Sequence, residues 1–171
     1  ACGMAATPGA IRGVRVEDDA LRLLTVADRP PLGLCGSGLV EAVAAARDGG
    51  LMDRHGTLLA PEQVTTNLAR YLVADGESRA LRLYRDAARE LRLTQADIRA
   101  FQLAKGAVRA GIDCLLGRAG VAAEQVGAVL LTGSFGLSLA PETLKKVAML
   151  PENMVDRVRF VPAGALLGTV R

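Results

Sequence analysis

Residues 126–136 read VGAVLLTGSFG, an apolar run followed by a turn that contains two glycines, Gly133 and Gly136. The run over residues 126–131 has the composition of a central strand that is buried on both faces. Because such a strand releases the chain at the carboxyl edge of its sheet, where open α/β folds bind ligands, the turn at residues 132–136 is a candidate ligand-facing segment. Glycine there lets the main chain approach a ligand closely, although a single glycine turn is more often only a turn.

A long helix is predicted before this strand, over residues 94–118. Thr94 and Asp97 have the spacing of a capping-box-like pair at its start. Apolar residues recur at three- and four-residue steps, which predicts that one face of the helix is buried. These residues are Ile98, Phe101, Val108, Ile112 and Leu115.

Two glycines and a lysine mark the middle of this helix. Gly106 and Gly111 each cost about 1 kcal/mol relative to alanine in a helix interior. They indicate close approach of a ligand or another backbone, or tight helix–sheet packing alone. Lys105 lies beside Gly106 and adds a donor for the same crevice, unless it is an ordinary solvated lysine.

The rest of the chain completes an α/β pattern. Residues 10–16 and 20–26 are predicted to be antiparallel strands around a tight acidic turn. A helix is predicted to begin at Gly36, Ser37 and Gly38 and to end near Gly49. The backbone N–H groups at its start can face an anion. Residues 51–93 are predicted to be an insertion with one or two strands. A short helix from Pro141 to near residue 150 and a strand at residues 157–161 complete the prediction. This order of strands and helices along the chain predicts an α/β fold with a mixed sheet flanked by helices.

Composition excludes several classes of protein. The 171 residues fit one compact domain, and aromatic residues make up only 3% of them, so the scattered positive charge, a net +3, does not indicate nucleic-acid binding. The three cysteines are widely separated, which argues against a disulfide framework or a metal site within the chain and favours small buried residues in a reducing cytoplasm; they are Cys2, Cys35 and Cys114. No signal peptide or membrane-spanning run is visible in the sequence.

Four blocks of the sequence resemble, in the same order, the reductive activators of corrinoid proteins. The blocks span almost the whole chain: residues 2–11 (CGMAATPGAI), residues 34–42 (LCGSGLVEA), residues 94–112 (TQADIRAFQLAKGAVRAGI), and residues 130–136 (LLTGSFG) with 149–151 (MLP). The resemblance implies the carboxy-terminal lobe of an actin-like, ribonuclease H-like ATPase domain.

That family couples ATP to the reduction of Co(II) corrinoid to Co(I) in a methyl-transfer protein. The resemblance therefore implies ATP with Mg²⁺, a [2Fe–2S] ferredoxin domain outside this chain, and a corrinoid protein or corrinoid-dependent methyltransferase as partner. We expect a cytoplasmic protein that forms a homodimer and has no nucleic-acid or membrane partner. The adenosine motif corresponds to Gly133, Ser134, Phe135 and Gly136, and the helix at Lys105 and Gly106 flanks the nucleoside. A nucleotide contact by Gly36, Ser37 and Gly38 is an additional expectation.

The sequence also departs from the family. The two phosphate loops and the ferredoxin cysteines are expected upstream of Ala1, so the chain alone is expected to have no catalytic residue. Ala5 replaces a usual arginine, and residues 161–165 (VPAGA) replace the usual GNAA. Two alternatives therefore stay open. One is a docking domain that has kept the fold and lost the nucleotide; the other is a different activator or small-molecule kinase of the same superfamily.

Overall fold

The computed structural model describes residues 2–133 and 139–169, apart from the side chain of Ala165. Two compact units, residues 1–101 and residues 102–171, divide the chain. The strands and helices confirm the predicted mixture of α and β structure, with sheets flanked by helices.

The first sheet is built on a hairpin. Strands β1 (Ala10–Glu17) and β2 (Ala20–Thr25) pair antiparallel, as predicted. Their turn residues Asp18 and Asp19 have positive φ angles of 50° and 55°, the conformation that two-residue hairpin turns require. Strand β3 (Gly33–Leu34) pairs parallel with the other edge of β1, so this sheet is mixed. Helix α1 (Gly36–Asp48) follows, and Gly49 caps it where the sequence predicted its end.

Residues 51–93 form more structure than predicted. Strands β4 (Leu72–Asp75), β5 (Ser78–Arg85) and β6 (Glu90–Thr94) form an antiparallel sheet, so the expectation of one or two strands is corrected to three. Residues 90–94 do alternate polar and apolar side chains, which indicates a half-buried strand. This short signal was missed because the segment runs directly into the following helix.

The core of the first unit is formed by side chains from both sheets, from α1 and from the start of the helix that follows β6. Each large aliphatic side chain that is fully buried there contributes about 1.5–3 kcal/mol by leaving water. Side chains that are at most 1% exposed include Ile11, Leu51, Leu58, Leu81, Leu93 and Ile98.

Helix α2 (Gln95–Ala119) confirms the predicted long helix and its start. The Asp97 amide donates to Thr94 Oγ1 at 3.1 Å, and the Thr94 amide donates to Asp97 Oδ2 at 3.0 Å, which completes the capping box. The predicted buried face holds only over the first turns, where Ile98 is fully buried. Val108 and Leu115 are 48% and 69% exposed, because no described residue of the second unit covers that side of the helix.

The second unit contains a parallel pair of strands, β7 (Val129–Thr132) and β8 (Val158–Val161). The prediction that residues 126–131 form a central strand buried on both faces is wrong for the described residues. Strand β7 has β8 as its partner and Leu130 is 63% exposed. It also begins late, because Arg157 Nη1 donates to the Val126 carbonyl at 2.7 Å and holds the preceding residues in a loop.

The described part of the second unit also contains three short helices: α3 (Pro141–Lys146), α4 (Glu152–Val155) and α5 (Gly164–Thr169). Pro141 occupies the first turn of α3, as predicted, but this helix ends at Lys146 rather than near Leu150. Helix α5 was not predicted. Leu139 and Leu144 are buried here, at 3% and 1% exposure.

Candidate functional site

The carboxyl edge of the β7–β8 sheet carries the central part of the predicted site. Thr132 and Val161 are paired residues at the ends of the two parallel strands, and Gly133 follows Thr132 directly. Gly133 has a φ angle of +87°, which L-amino acids rarely adopt. A Cβ atom built on Gly133 would meet no heavy atom within 4 Å, so its main chain borders open space among the described residues. The role of Gly133 in facing a ligand stays a prediction.

A second glycine at this edge was not predicted as a site residue. The Gly164 amide donates to Thr132 Oγ1 at 2.7 Å, and a Cβ atom on Gly164 would lie 2.7 Å from the same oxygen. Thr132 thereby fixes the start of α5 beside the end of β7. Ala163, the residue before, has a φ angle of 51°. The signal in the sequence was the pair Ala163–Gly164, one residue after a strand, at the edge where the turn at Gly133 also lies.

Three of the predicted nucleotide-binding residues, Ser134, Phe135 and Gly136, lie outside the described residues. Their predicted role stays a prediction. The chain is described again from Leu139, which is 3% exposed and belongs to the core of the second unit.

Lys105 is engaged with the end of a neighbouring helix. Its Nζ donates to the carbonyl oxygen of Val147 at 2.7 Å, and Val147 is the residue that caps the carboxyl end of α3. A lysine at this position satisfies a helix carbonyl and complements the negative end of the helix dipole. Lys105 therefore has a structural task in the second unit, and its predicted nucleotide contact stays a prediction.

Gly106 lies on an exposed part of α2. A Cβ atom built there, or on Gly111, would meet nothing within 4 Å. No contact among the described residues therefore requires glycine at either position. Of the two explanations that the sequence left open, packing within this chain has no support from the described residues.

The predicted anion-facing start of α1 lies in the first unit and is tightly packed. Ser37 is 4% exposed, and its hydroxyl oxygen lies 3.3 Å from the sulfur of the buried Cys35. A Cβ atom on Gly38 would overlap the carbonyl oxygen of Ile11 on β1. The glycine thus allows α1 to approach the strand closely, while Gly36 is exposed. Packing explains Ser37 and Gly38, and their nucleotide contact stays a prediction.

The residues that begin α2 hold a loop of the first unit in place. Gln95 Nε2 donates to the Gly56 carbonyl at 2.8 Å, and its Oε1 accepts from the Leu58 amide at 2.8 Å. Arg99 donates to the His55 carbonyl at 2.7 Å and to Thr57 Oγ1 at 2.9 Å. Part of the motif over residues 94–112 is therefore structural.

The same loop is organised from inside by Asp53. Its Oδ1 accepts hydrogen bonds from the Thr57 and His55 amides, each at 2.8 Å. The hydrogen bond from the Thr57 amide is the main cause that lowers the pKa of the Asp53 carboxyl below its usual value.

The cysteines occupy three different environments: Cys2 is half-buried, Cys35 is buried and Cys114 is exposed. The expectation that they are all small buried residues is wrong for Cys114, which is exposed on α2. Burial is the main cause that raises the pKa of the Cys2 thiol. In residues 2–133 and 139–169, no three His, Cys, Asp or Glu side chains are grouped in a way that could hold a metal ion. No helix in the same residues is long and apolar enough to span a membrane.

Comparison with known proteins gives consistent results. The family model described as the C-terminal domain of RACo, the ASKHA domain, matches residues 1–171. The corrinoid activation enzyme RamQ of Eubacterium limosum is 27% identical over 172 residues, which cover 97% of this chain and 29% of that protein. A solved structure of a reductive activator for a corrinoid, iron–sulfur protein superposes with a TM-score of 0.85 at 26% identity, over 98% of this chain and 27% of that one. The chain thus spans less than a third of the length of these relatives.

Proposed function

This chain belongs to the family of the C-terminal, actin-like (ASKHA) domain of RACo, and from that premise we propose that it is one part of an ATP-dependent reductive activator. The activator would return the inactive Co(II) corrinoid of a methyl-transfer protein to Co(I) in the cytoplasm. The observation that carries the proposal is the match over residues 1–171 together with the open glycine at the edge of the β7–β8 sheet.

The residues at this edge fit the nucleoside side of ATP. Gly133 offers main chain without a side chain, and the Thr132 hydroxyl holds the Gly164 amide beside it. A base or ribose could therefore lie against backbone at the end of two parallel strands. We assign the phosphates and Mg²⁺ to loops outside residues 1–171, because no loop of that kind is recognisable in this sequence.

The [2Fe–2S] cluster does not fit this chain. Such a cluster needs four cysteine thiolates, and the three cysteines here lie in three separate environments. Cys35 Sγ is moreover buried and donates to the Ile11 carbonyl at 3.3 Å. We therefore place the electron source in a domain outside this chain. ATP supplies the free energy for an unfavourable one-electron transfer only if it binds two conformations of the activator with different affinities.

A valine at Gly133 tests the nucleotide part of the proposal. In the full-length protein, Gly133→Val should weaken ATP binding at least tenfold, about 1.4 kcal/mol, because it adds bulk on the open side and strains a positive φ angle. Gly120→Val is the matched control, since Gly120 also has a positive φ, +63°, and open space around it. Calorimetric titration should show the loss for Gly133→Val alone. Equal affinities for both variants would remove Gly133 from the nucleotide site.

A docking domain without nucleotide is the second candidate. It is favoured by the internal roles of three predicted nucleotide-binding residues, since Ser37 is buried beside Cys35, Gly38 is packed against β1, and Lys105 holds the end of α3. In that case the full-length protein would bind its corrinoid partner with the same affinity in the presence and absence of ATP. A dependence of partner affinity on ATP would exclude this alternative.

A further inference from the structure

The first unit contains two pairs of arginines that lie directly opposite each other on neighbouring strands. Arg15 of β1 pairs with Arg22 of β2, and Arg82 of β5 pairs with Arg92 of β6. Like charges at directly opposed positions of an antiparallel pair repel each other and destabilise the sheet. Each pair therefore needs an anion nearby or costs the fold some stability.

The pair on β5 and β6 has its anion within the chain. Glu90 Oε2 lies 2.6 Å from Arg92 Nη2, and Glu90 Oε1 lies 3.9 Å from Arg82 Nη1. Asp75 lies 3.9 Å from Arg92 on its other side. One carboxylate thus bridges two opposed guanidinium groups and offsets their repulsion.

The pair on β1 and β2 has no such bridge. Both side chains are exposed, and among the described residues no carboxylate oxygen lies within 4 Å of Arg15 or Arg22. The acidic residues of the hairpin are gathered at its turn end, at Glu17, Asp18 and Asp19. The hairpin therefore separates its charges, with an acidic tip and a basic middle.

A third arginine is held next to this pair without being neutralised. Arg70 Nη2 donates to the Asp19 carbonyl at 3.0 Å, and its guanidinium lies 5.0 Å from the centre of the Tyr71 ring. Tyr71 accepts a hydrogen bond from the Leu21 amide on β2, which places Arg70 at the edge of the hairpin. Burial would raise the pKa of the Tyr71 hydroxyl. Its pKa is nevertheless lowered, because it accepts hydrogen bonds from Arg70 and Leu21 and lies near the positive charges of Arg70 and Arg22. Arg70 is thus fixed by a carbonyl and an aromatic ring rather than by a carboxylate.

We infer that the outer face of the β1–β2 hairpin is a docking surface for an acidic patch of a partner protein, with a partner carboxylate bridging Arg15 and Arg22 as Glu90 bridges Arg82 and Arg92. Arginine suits this task because its planar fork binds carboxylates in two-point geometry. The face offers little for stacking bases, which favours an acidic protein over a single-stranded nucleic acid. This inference rests on the proposed function, and on that basis the partner is the corrinoid protein.

Removal of the pair is the test, with binding measured on the full-length protein at low salt. Arg15→Gln with Arg22→Gln should weaken binding of the corrinoid partner about tenfold, and the loss should shrink as salt is raised, because such contacts are screened. Arg79→Gln with Arg85→Gln is the matched control, since it removes the same charge from exposed positions of β5 and should change affinity less than about twofold. The melting temperature of the first variant should not fall, because a repulsion is removed.

Two further probes separate the possible outcomes. One is a twelve-residue peptide rich in Asp and Glu. The other is a single-stranded DNA of about twenty nucleotides, which is long enough to fill the site of a protein that binds single strands. If the parent binds the acidic peptide through Arg15 and Arg22 but does not bind the corrinoid protein, the surface stands and the proposed partner fails. If the parent binds the corrinoid protein and both double variants lose affinity equally, or neither does, the docking surface is refuted. Binding of DNA but not of the acidic peptide through these arginines would refute it as well.

Discussion

The two units of the chain differ in how much of their apolar surface is covered. In the first unit, Leu81 and Ile98 are fully buried, whereas in the second unit Leu115 and Leu130 are 69% and 63% exposed. Helix α2 shows the difference within one element, because Ile98 and Val108 belong to the same predicted face and only Ile98 is buried. Hydrophobic periodicity therefore identifies the residues that share a face, while burial depends on what packs against that face.

The largest effect should come from the same substitution made in each unit. Leu81→Ala should lower the free energy of unfolding by about 2–5 kcal/mol, because the Leu81 side chain is fully buried and its truncation leaves a cavity in the core. Leu115→Ala should change it by no more than about 0.5 kcal/mol, because most of its side chain already contacts solvent. Urea unfolding followed by circular dichroism measures both. A Leu115→Ala loss as large as that of Leu81→Ala would mean that α2 is covered in solution.

Local signals in the sequence were enough to predict most elements of the first unit. The acidic turn between β1 and β2, the glycines after α1, and the Thr94–Asp97 pair each define an element boundary through chemistry within a few residues. Strand β6 was missed although its residues alternate polar and apolar, because the segment has only five residues and runs directly into α2. Its antiparallel pairing with β5, across the short connection at residues 86–89, identifies it as a strand.

The candidate site was predicted only in part. The sequence placed a glycine turn at Gly133 after a strand, and Gly133 does have a positive φ angle, but its contact with a ligand stays a prediction. The packing of Gly38 against Ile11 and the bond from Lys105 to Val147 join residues that are far apart in the sequence. No local pattern distinguishes a glycine or lysine with such a task from one that contacts a ligand.

The next largest effect on stability should come from Gln95, whose side chain holds a loop of the first unit. Gln95→Ala should cost about 1–3 kcal/mol, because the Leu58 amide and the Gly56 carbonyl both lose their hydrogen-bond partner. Gln63→Ala is the control, since Gln63 accepts one exposed bond from the Ala60 amide. Hydrogen exchange of the Leu58 amide should accelerate in the first variant alone. Unchanged exchange there would show that Gln95 does not hold this loop.

The corresponding test in the second unit concerns Lys105. Lys105→Met should cost about 1 kcal/mol, because the Val147 carbonyl at the end of α3 loses a charged donor. Lys145→Met is the control, since its ion pair with Glu152 joins side chains that are 55% and 79% exposed, and such surface pairs contribute about 0–1 kcal/mol. Thermal unfolding compares the two variants. If they lose the same stability, the bond from Lys105 contributes no more than a surface ion pair.

The smallest expected effect is a gain of stability at the edge of the β7–β8 sheet. Ala163 has a φ angle of 51°, and asparagine tolerates this left-handed conformation better than alanine does. Ala163→Asn should therefore raise the free energy of unfolding by about 0.5 kcal/mol, part of the strain that such residues store. Ala148→Asn is the matched control, because Ala148 also has a φ angle of 51° and should gain a similar amount. Ala163, unlike Ala148, adjoins Gly164, whose amide is bonded to Thr132 at the candidate site. It also lies in the segment VPAGA, where the family resemblance leads us to expect a motif with asparagine. ATP titration of the two full-length variants should thus show tighter binding for Ala163→Asn only. Equal stability gains without any change in ATP affinity would mean that the asparagine serves the backbone conformation alone.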